Sequence, residues 1–438
     1  MIYVLPVELT KKKIAEIRKK IEAKNSVFAQ KRYLDSMFLP SKIIGREDET
    51  ENLLSHVMSL QDGFIVPLIS VYGRSGSGKS TVVKFVCENL EDLISFRFVN
   101  LRKARTVFGC ANVILGNLEG ESLSSAQGLN KAVDCMQSQI ETILEQEEKK
   151  YFVLVLDEYD VIFSDTRSNP SDFVYKLLQM EENLREQGIW MCIITISNNA
   201  LQEYDLDDRV KSRMGSSDIY FMPYSEDNVF GILQDRAKKA FKKKIDDNVL
   251  KYCAKLSSSD HGDARRALDL LRTAGEICDG KIKNDDVEKA QKLIQKDRVD
   301  EIVSNASYHM RCVVGSIVSL AIVKEQSWGA TSNIFIKYAK LVSKDHTPLK
   351  YRRVSDLLVE LENTGILISR AYSRGRGGYG KEYKLKVDPS LVGPSVNEEF
   401  YDSLVQRKTS LDEIKELQKS MKSRKGFGNL YSSLLKDL

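Results

Sequence analysis

The densest chemistry in the sequence is one run of eight residues, Gly73-Arg74-Ser75-Gly76-Ser77-Gly78-Lys79-Ser80. It fits the spacing G-x-x-x-x-G-K-[ST] with no mismatch. Gly73, Gly76 and Gly78 let the backbone curl, so that the N–H groups around Ser75 and Ser77 point inward at phosphate oxygens. Lys79 reaches the β- and γ-phosphates and Ser80 holds Mg²⁺. Thr81 continues into a helix whose positive end adds to the site. A second acidic element matches the first. Tyr151–Leu156 is six apolar residues closed by Asp157-Glu158. Downstream of such a loop, Asp157 meets the Mg²⁺ beside Ser80, and Glu158 polarises an attacking water. The expected ligands are ATP or ADP with Mg²⁺.

These groups need elements to carry them. Val66–Tyr72 reads as a buried strand and Thr81–Leu90 as a helix, which is the context the loop requires. Phe96–Leu101 reads as a second strand. Residues 102–148 read as mostly helical, broken at Gly109, Gly116, Gly120 and Gly128. Tyr151–Leu156, apolar throughout, suits a strand covered on both faces. Asp172–Gln187 reads as a helix and Trp190–Ser197 as another buried strand. Strands alternating with helices predict an α/β fold: a parallel sheet with helices on both faces. Phosphate loop, acidic pair, then polar strand tip is the order of an AAA+ P-loop ATPase. Asn198, at the tip of the last strand, has two readings, a sensor of the γ-phosphate or a turn former. Arg209 and Arg213, four apart in LDDRVKSRMG, also have two: an arginine finger for a neighbouring subunit, or a surface ion pair. Three helices follow, about 226–242, 246–256 and 263–277, with another from Asn284. Together they make a small helical lid, with Arg265 and Arg266 at a helix start.

Length and composition bound the reading. The 438 residues suggest about three domains, and a hydrophobic content of 42% is ordinary for a soluble protein. No apolar run approaches the ~18 residues of a membrane span. Lys11-Lys12-Lys13 follow the mildly apolar N-terminus rather than precede it, which argues against a signal peptide. Seven scattered cysteines without a C-x-x-C pair, and four separated histidines, predict reduced thiols in a cytoplasmic setting and no zinc site. Net charge is +4, yet residues 301–390 hold 14 Lys/Arg against 8 Asp/Glu. A basic C-terminal region on a neutral body suggests a polyanion-binding module.

That region has its own pattern. Helices are expected at Ile302–Lys324, at Asn333–Val342 and from Thr347-Pro348 onward, ending at Gly365. Strands are expected at Ile366–Tyr372 and Lys381–Val387. Three helices and a hairpin make a winged helix. In the third helix Val354, Leu357, Leu358 and Leu361 share one face, while Lys350, Arg352, Arg353 and Ser355 lie toward solvent near its start. They are the candidate readers of the major groove. Arg370, Arg374, Arg376 and Lys381 are the candidate wing contacts to the DNA backbone or minor groove. Gly375–Gly380 matches G-x-G-x-x-G, but it joins two strands and precedes no helix, so it does not mark a dinucleotide site. A winged helix that docks protein instead of DNA stays open.

The runs VYGRSGSGKSTVVKFV, VLVLDEYD, ISNN, LDDRVKSRMG, MPYSEDNVFGILQDRAKKAF and HGDARRALDLLRTAGEIC together resemble the archaeal replication initiators of the origin-recognition-complex and cell-division-control family. The resemblance spans about residues 38–390. It implies an adenine pocket lined by residues 40–46, Tyr224 and Arg236, with Asn198 as first sensor, Arg265 as second, and Arg213 as the preferred finger with Arg209 as the fallback. It implies a weak ATPase used as a switch, with double-stranded origin DNA, the replicative helicase and other initiator subunits as partners. A paralogue acting on promoters or in damage responses, or a clamp-loader-like ATPase, are the rival readings. The family often carries a DNA-touching insertion, and residues 108–138 show no clear mark of it. Two departures stand out: Gly45 before Arg46-Glu47, and a continuation past residue 390. The expected divisions are a basic helical arm (1–39), the nucleotide-binding base (40–224), the lid (225–297), the winged helix (298–390) and a polar helical tail (391–438). For the arm, packing and partner-binding readings stay open.

Overall fold

The computed structural model describes residues 11–24, 27–64, 66–165, 167–214, 217–258, 262–323, 328–342, 346–373 and 379–423. The chain forms two compact units, residues 1–290 and 291–438.

The first unit is built on a five-stranded parallel sheet in the order β2-β3-β4-β1-β5. The strands are β1 (Leu68–Gly73), β2 (Ser95–Asn100), β3 (Tyr151–Asp157), β4 (Trp190–Ser197) and β5 (Asp218–Phe221). Successive strand residues face opposite sides, and both sides are covered. Phe152, Leu154 and Leu156 pack with helices α4 (Val107–Asn117), α5 (Gly128–Glu147) and α6 (Pro170–Glu186). Val153 and Val155, between them, pack with α2 (Glu47–Met58) and α3 (Lys79–Glu88). Burial on both faces is why these strands read as continuous apolar runs.

The arm holds α1 (Lys11–Lys24), and residues 27–39 then dock on the lid. Phe28 bridges to Phe241 and stacks on its ring at 4.9 Å, and Lys31 pairs with Glu276 at 2.6 Å. After α7 (Asp208–Met214), the lid helices are α8 (Glu226–Ala240), α9 (Asp247–Ser258) and α10 (Ala264–Ile277). Gly45 takes φ 66°, and a Cβ there would strike the Asn228 side chain of α8. That close approach explains the glycine before Arg46.

The unit boundary falls within α11 (Asn284–Asn305). The second unit holds α12 (Tyr308–Val323), α13 (Thr331–Leu341) and α14 (Tyr351–Asn363). An antiparallel sheet in the order β6-β8-β7 joins them, with β6 (Gly329–Ala330), β7 (Leu367–Ser373) and β8 (Tyr379–Leu385). α12 starts six residues later than its apolar pattern suggests, because Ser307 interrupts: its Oγ accepts from Met310 N at 3.3 Å. Val354, Leu357, Leu358 and Leu361 of α14 are all buried in this unit's core. Helices α15 (Pro389–Val396) and α16 (Glu398–Ser423) add Val392 and Leu404 to the same core. The first turns past residue 390 are therefore packed structure.

Candidate nucleotide site and nucleic-acid reader

The phosphate loop leaves the C-terminal end of β1, between β4 and β5. Register pairs Tyr72 with Ser197 and Ile196 with Asp157. Parallel neighbours end on the same edge, so Asn198 and Asp157-Glu158 arrive beside the loop. Gly76 has φ 78°, and a Cβ there would strike the Asp263 carboxylate. Side chains rarely adopt this backbone region, so glycine is required.

The loop's carbonyls are engaged by donors. Lys79 Nζ donates to Gly73 O at 2.6 Å and to Arg74 O at 3.0 Å. Ala264 N, at the start of α10, donates to Gly76 O at 3.3 Å, and Arg46 Nε donates to Ser77 O at 3.1 Å. Ser77 N closes a turn on Arg74 O at 3.3 Å, and the other peptide N–H groups of the loop are left for an anion. Lys79 is only 8% exposed. Burial pushes its ammonium below the usual lysine range, Asp157 opposes the shift, Arg265 adds to it, and Glu158 and Asp160 oppose it.

Ser80 Oγ donates to Asp157 Oδ2 at 3.1 Å, and Asn100 Nδ2 donates to the same oxygen at 3.3 Å. Asp157 Oδ1 accepts from Glu158 N at 2.9 Å. Glu158 sits in the left-handed region at φ 56° and ψ 42°, a conformation that needs surrounding support in a residue with a side chain. Its side chain lines one cleft with Ser75, Lys79, Ser80, Asp160, Asn198 and Arg265. Asn198 Nδ2 donates to Asp160 Oδ2 at 3.4 Å.

An adjoining cleft shares Gly76, Gly78 and Arg265 with the first. Pro40, Lys42, Ile43, Ile44, Thr81, Tyr224, Ile232, Arg236 and Leu268 line it. Arg236 Nη2 donates to Phe38 O at 2.8 Å, while its Nη1 is buried without a partner. Desolvation lowers this guanidinium's pKa. Ser77 Oγ and Asp160 Oδ1 are likewise buried and unpaired. Each such atom is destabilising by about 1–3 kcal/mol; Arg236 and Asp160 line the two clefts, so their unpaired atoms fit a polar ligand. The residues present suit a nucleoside triphosphate. The apolar slot would take the base, Lys79 and the loop the phosphates, and Ser80 with Asp157 a Mg²⁺ ion. That ion would neutralise phosphate charge when bound.

Arg209 and Arg213 are not brought to these clefts. Arg209 pairs with Asp207 at 3.1 Å and Arg213 with Glu182 at 3.6 Å. Both lie over the Tyr175 ring, at 5.3 and 4.7 Å.

Sequence reasoning missed Asn100, Asp160 and Asp263 at the site. Asp263 Oδ1 caps α10, accepting from Arg265 N at 2.9 Å and Arg266 N at 3.3 Å. An aspartate directly before a helical stretch is a readable cap signal. Asn100 ends its strand as Asn198 does, so the same rule applied to β2 would have found it.

In the second unit, Lys350 is the N-cap position of α14, and Tyr351, Arg352 and Arg353 are exposed. Arg353 approaches Asp356 at 3.8 Å, and Ser355 Oγ donates to Tyr351 O at 3.1 Å. Two of the expected wing cations hold carboxylates. Arg370 forks onto Glu382, Nε at 2.9 Å and Nη2 at 2.8 Å, and lies over Trp328 at 4.3 Å. Lys381 approaches Glu362 at 3.7 Å. Arg374 and Arg376 lie outside the described residues. Tyr338, fully buried, accepts from Leu349 N at 3.0 Å and shares a 2.8 Å bond with His309 Nδ1 beneath the approach to α14.

A parallel sheet carrying this loop and acidic pair, with a helical lid, defines an AAA+ ATPase, and the second unit is a winged helix. Comparison with known families agrees. Residues 69–219 match the ATPase family associated with various cellular activities, 230–292 the Cdc6 AAA+ ATPase-type lid domain, and 301–393 the CDC6 C-terminal winged helix domain. The ORC1-type DNA replication protein 1 of Sulfurisphaera tokodaii is 33% identical over 86% of this chain and 94% of its own length. The ORC1-type DNA replication protein of Thermococcus onnurineus is 32% identical over 84% of this chain and 90% of its own length. The Aeropyrum pernix ORC1 protein, solved in complex with DNA, superposes with a TM-score of 0.70 at 28% identity, over 86% of this chain and 98% of that one. The chain belongs to the family of ORC1-type DNA replication proteins. Among the described residues, no helix is long and apolar enough to cross a membrane.

Proposed function

We propose that this chain is an ATP-controlled replication initiator. The winged helix binds double-stranded origin DNA, the base and lid hold ATP or ADP with Mg²⁺, and slow hydrolysis acts as a switch. The observation that carries the reading is that a complete phosphate and acidic constellation and a basic winged helix occur in one chain of this family. The DNA-bound Aeropyrum pernix relative supports the DNA half. Lys79, Ser80, Asp157, Glu158, Asn198 and Arg265 converge on one cleft, which supports the nucleotide half. Glu158 orients the attacking water and Arg265 contacts the phosphates from the lid. Arg213, or Arg209, serves a neighbouring subunit in a homo- or hetero-oligomer on DNA. Recruitment of the replicative helicase completes the proposal, and the protein works at the nucleoid.

Mapping the chromosomal sites bound by the wild-type chain tests it. Binding centred where nascent strands begin is expected. Binding confined to promoters contradicts it and favours a transcription regulator.

A further inference from the structure

Arg46 is a buried cation, 4% exposed, and no step of nucleotide chemistry requires it. Its guanidinium reaches three separate elements. Nε donates to Ser77 O in the phosphate loop at 3.1 Å. Nη2 donates to Met222 O. Nη1 pairs with Glu49 of α2 at 2.7 Å. The same group lies over the Tyr224 ring at 4.0 Å and the Phe221 ring at 5.3 Å. Residues 222–225 are the short link from β5 at the edge of the sheet to α8 of the lid.

Two consequences follow from peptide geometry. The trans peptide is planar, so the C=O of Ser77 and the N–H of Gly78 point in opposite directions. Holding the carbonyl on Arg46 turns the Gly78 N–H away from Arg46, and Gly78 itself lines the phosphate cleft. The guanidinium is also rigid, with donors fixed in a fork. A shift of the Ser77–Gly78 peptide is therefore passed to Met222 and Tyr224, and the reverse holds.

We propose that Arg46 is a positioning residue: it sets the Ser77–Gly78 peptide for a phosphate and couples phosphate occupancy to the link between base and lid. This rests on the nucleotide-binding reading above. It differs from the sequence expectation that Arg46 lines the adenine pocket: Arg46 stays out of that lining and stacks on Tyr224, which belongs to it.

The test separates phosphate from base. The full chain, wild type, R46K and E49Q, is titrated with ADP, pyrophosphate and adenosine. A lysine keeps the charge but loses the fork, and a hydrogen bond to a charged group is worth about tenfold or more in affinity. R46K should bind ADP and pyrophosphate about tenfold more weakly and adenosine within about twofold of wild type. E49Q leaves the guanidinium in place but loosens it, so a smaller loss in the same direction is expected; E49Q carries the test if R46K does not fold. As a second readout, saturating ADP should slow amide exchange at Tyr224 and Ser225 in wild type and not in R46K. Unchanged ADP affinity in both variants, equal losses for adenosine and ADP, or protection of Tyr224 and Ser225 retained in R46K would each overturn the inference. Failure of the wild-type chain to bind ADP or pyrophosphate would instead overturn the nucleotide reading on which it rests.

Discussion

Replacing Asp263 separates two roles that a carboxylate beside a phosphate loop can have. Its Oδ1 caps α10 through Arg265 N and Arg266 N, and the same helix start donates Ala264 N to Gly76 O. Arg265 therefore enters the phosphate cleft from the first turn of a helix whose end depends on this side chain. Removing an N-cap costs about 1 kcal/mol. In Asp263→Ala the first turn frays and a nucleotide must rebuild it. The expected loss is about fivefold in ADP affinity, which is that 1 kcal/mol, with a fall in melting temperature of about 2–4 °C. Asp263→Asn keeps the accepting oxygen and removes a negative charge from the neighbourhood of the phosphates. It should melt like wild type and bind ADP as tightly or more tightly. Calorimetry and ADP titration of both variants decide the matter. If Asp263→Asn loses as much as Asp263→Ala, the capping argument fails.

Four further outcomes follow, two for the ATPase machinery and two at the wing. Glu158→Gln should retain ATP, since Ser80, Asp157 and Lys79 are untouched, and should stop phosphate release; normal hydrolysis removes Glu158 from its role. Mixing Arg213→Ala with Lys79→Ala protein should restore some ATPase activity if one subunit supplies the finger to another, and folded, co-assembled mixtures without restoration count against it. At the wing, Arg370 is held by Glu382, so Arg370→Ala should weaken DNA binding chiefly by freeing that carboxylate, and adding Glu382→Ala should recover most of the loss. The Arg374→Ala/Arg376→Ala variant should flatten the dependence of log affinity on log salt by up to about 2 units. A larger flattening from Arg370→Ala than from that pair would reverse these assignments.

The sheet and the core of the phosphate site were legible because both are written locally. A phosphate loop is contiguous, and a strand buried on both faces leaves an apolar run ending at Asp157 or Asn198. The winged-helix elements were legible from the spacing of Val354, Leu357, Leu358 and Leu361. What the sequence hid is long-range. Arg46 meets Met222 across 176 positions, and Asn100 meets Asp157 across 57; neither pairing leaves a periodic trace. The Arg370–Glu382 fork depends on strand register, which pairs those two residues across β7 and β8. Val392 lies in a short run interrupted by two prolines and Leu404 in a polar stretch, yet they complete the core around α12.

The central claim is that the nucleotide held in the base controls DNA binding by the winged helix. Its most direct test is the affinity of the full chain for an origin duplex and a scrambled duplex, with ATP, with ADP and with neither, for wild type and Lys79→Ala. Coupled sites typically shift one another's affinity by about fivefold or more. Wild type should show such a shift in its preference for the origin duplex, and Lys79→Ala should show none. Origin preference that is identical with and without nucleotide in wild type would contradict the account.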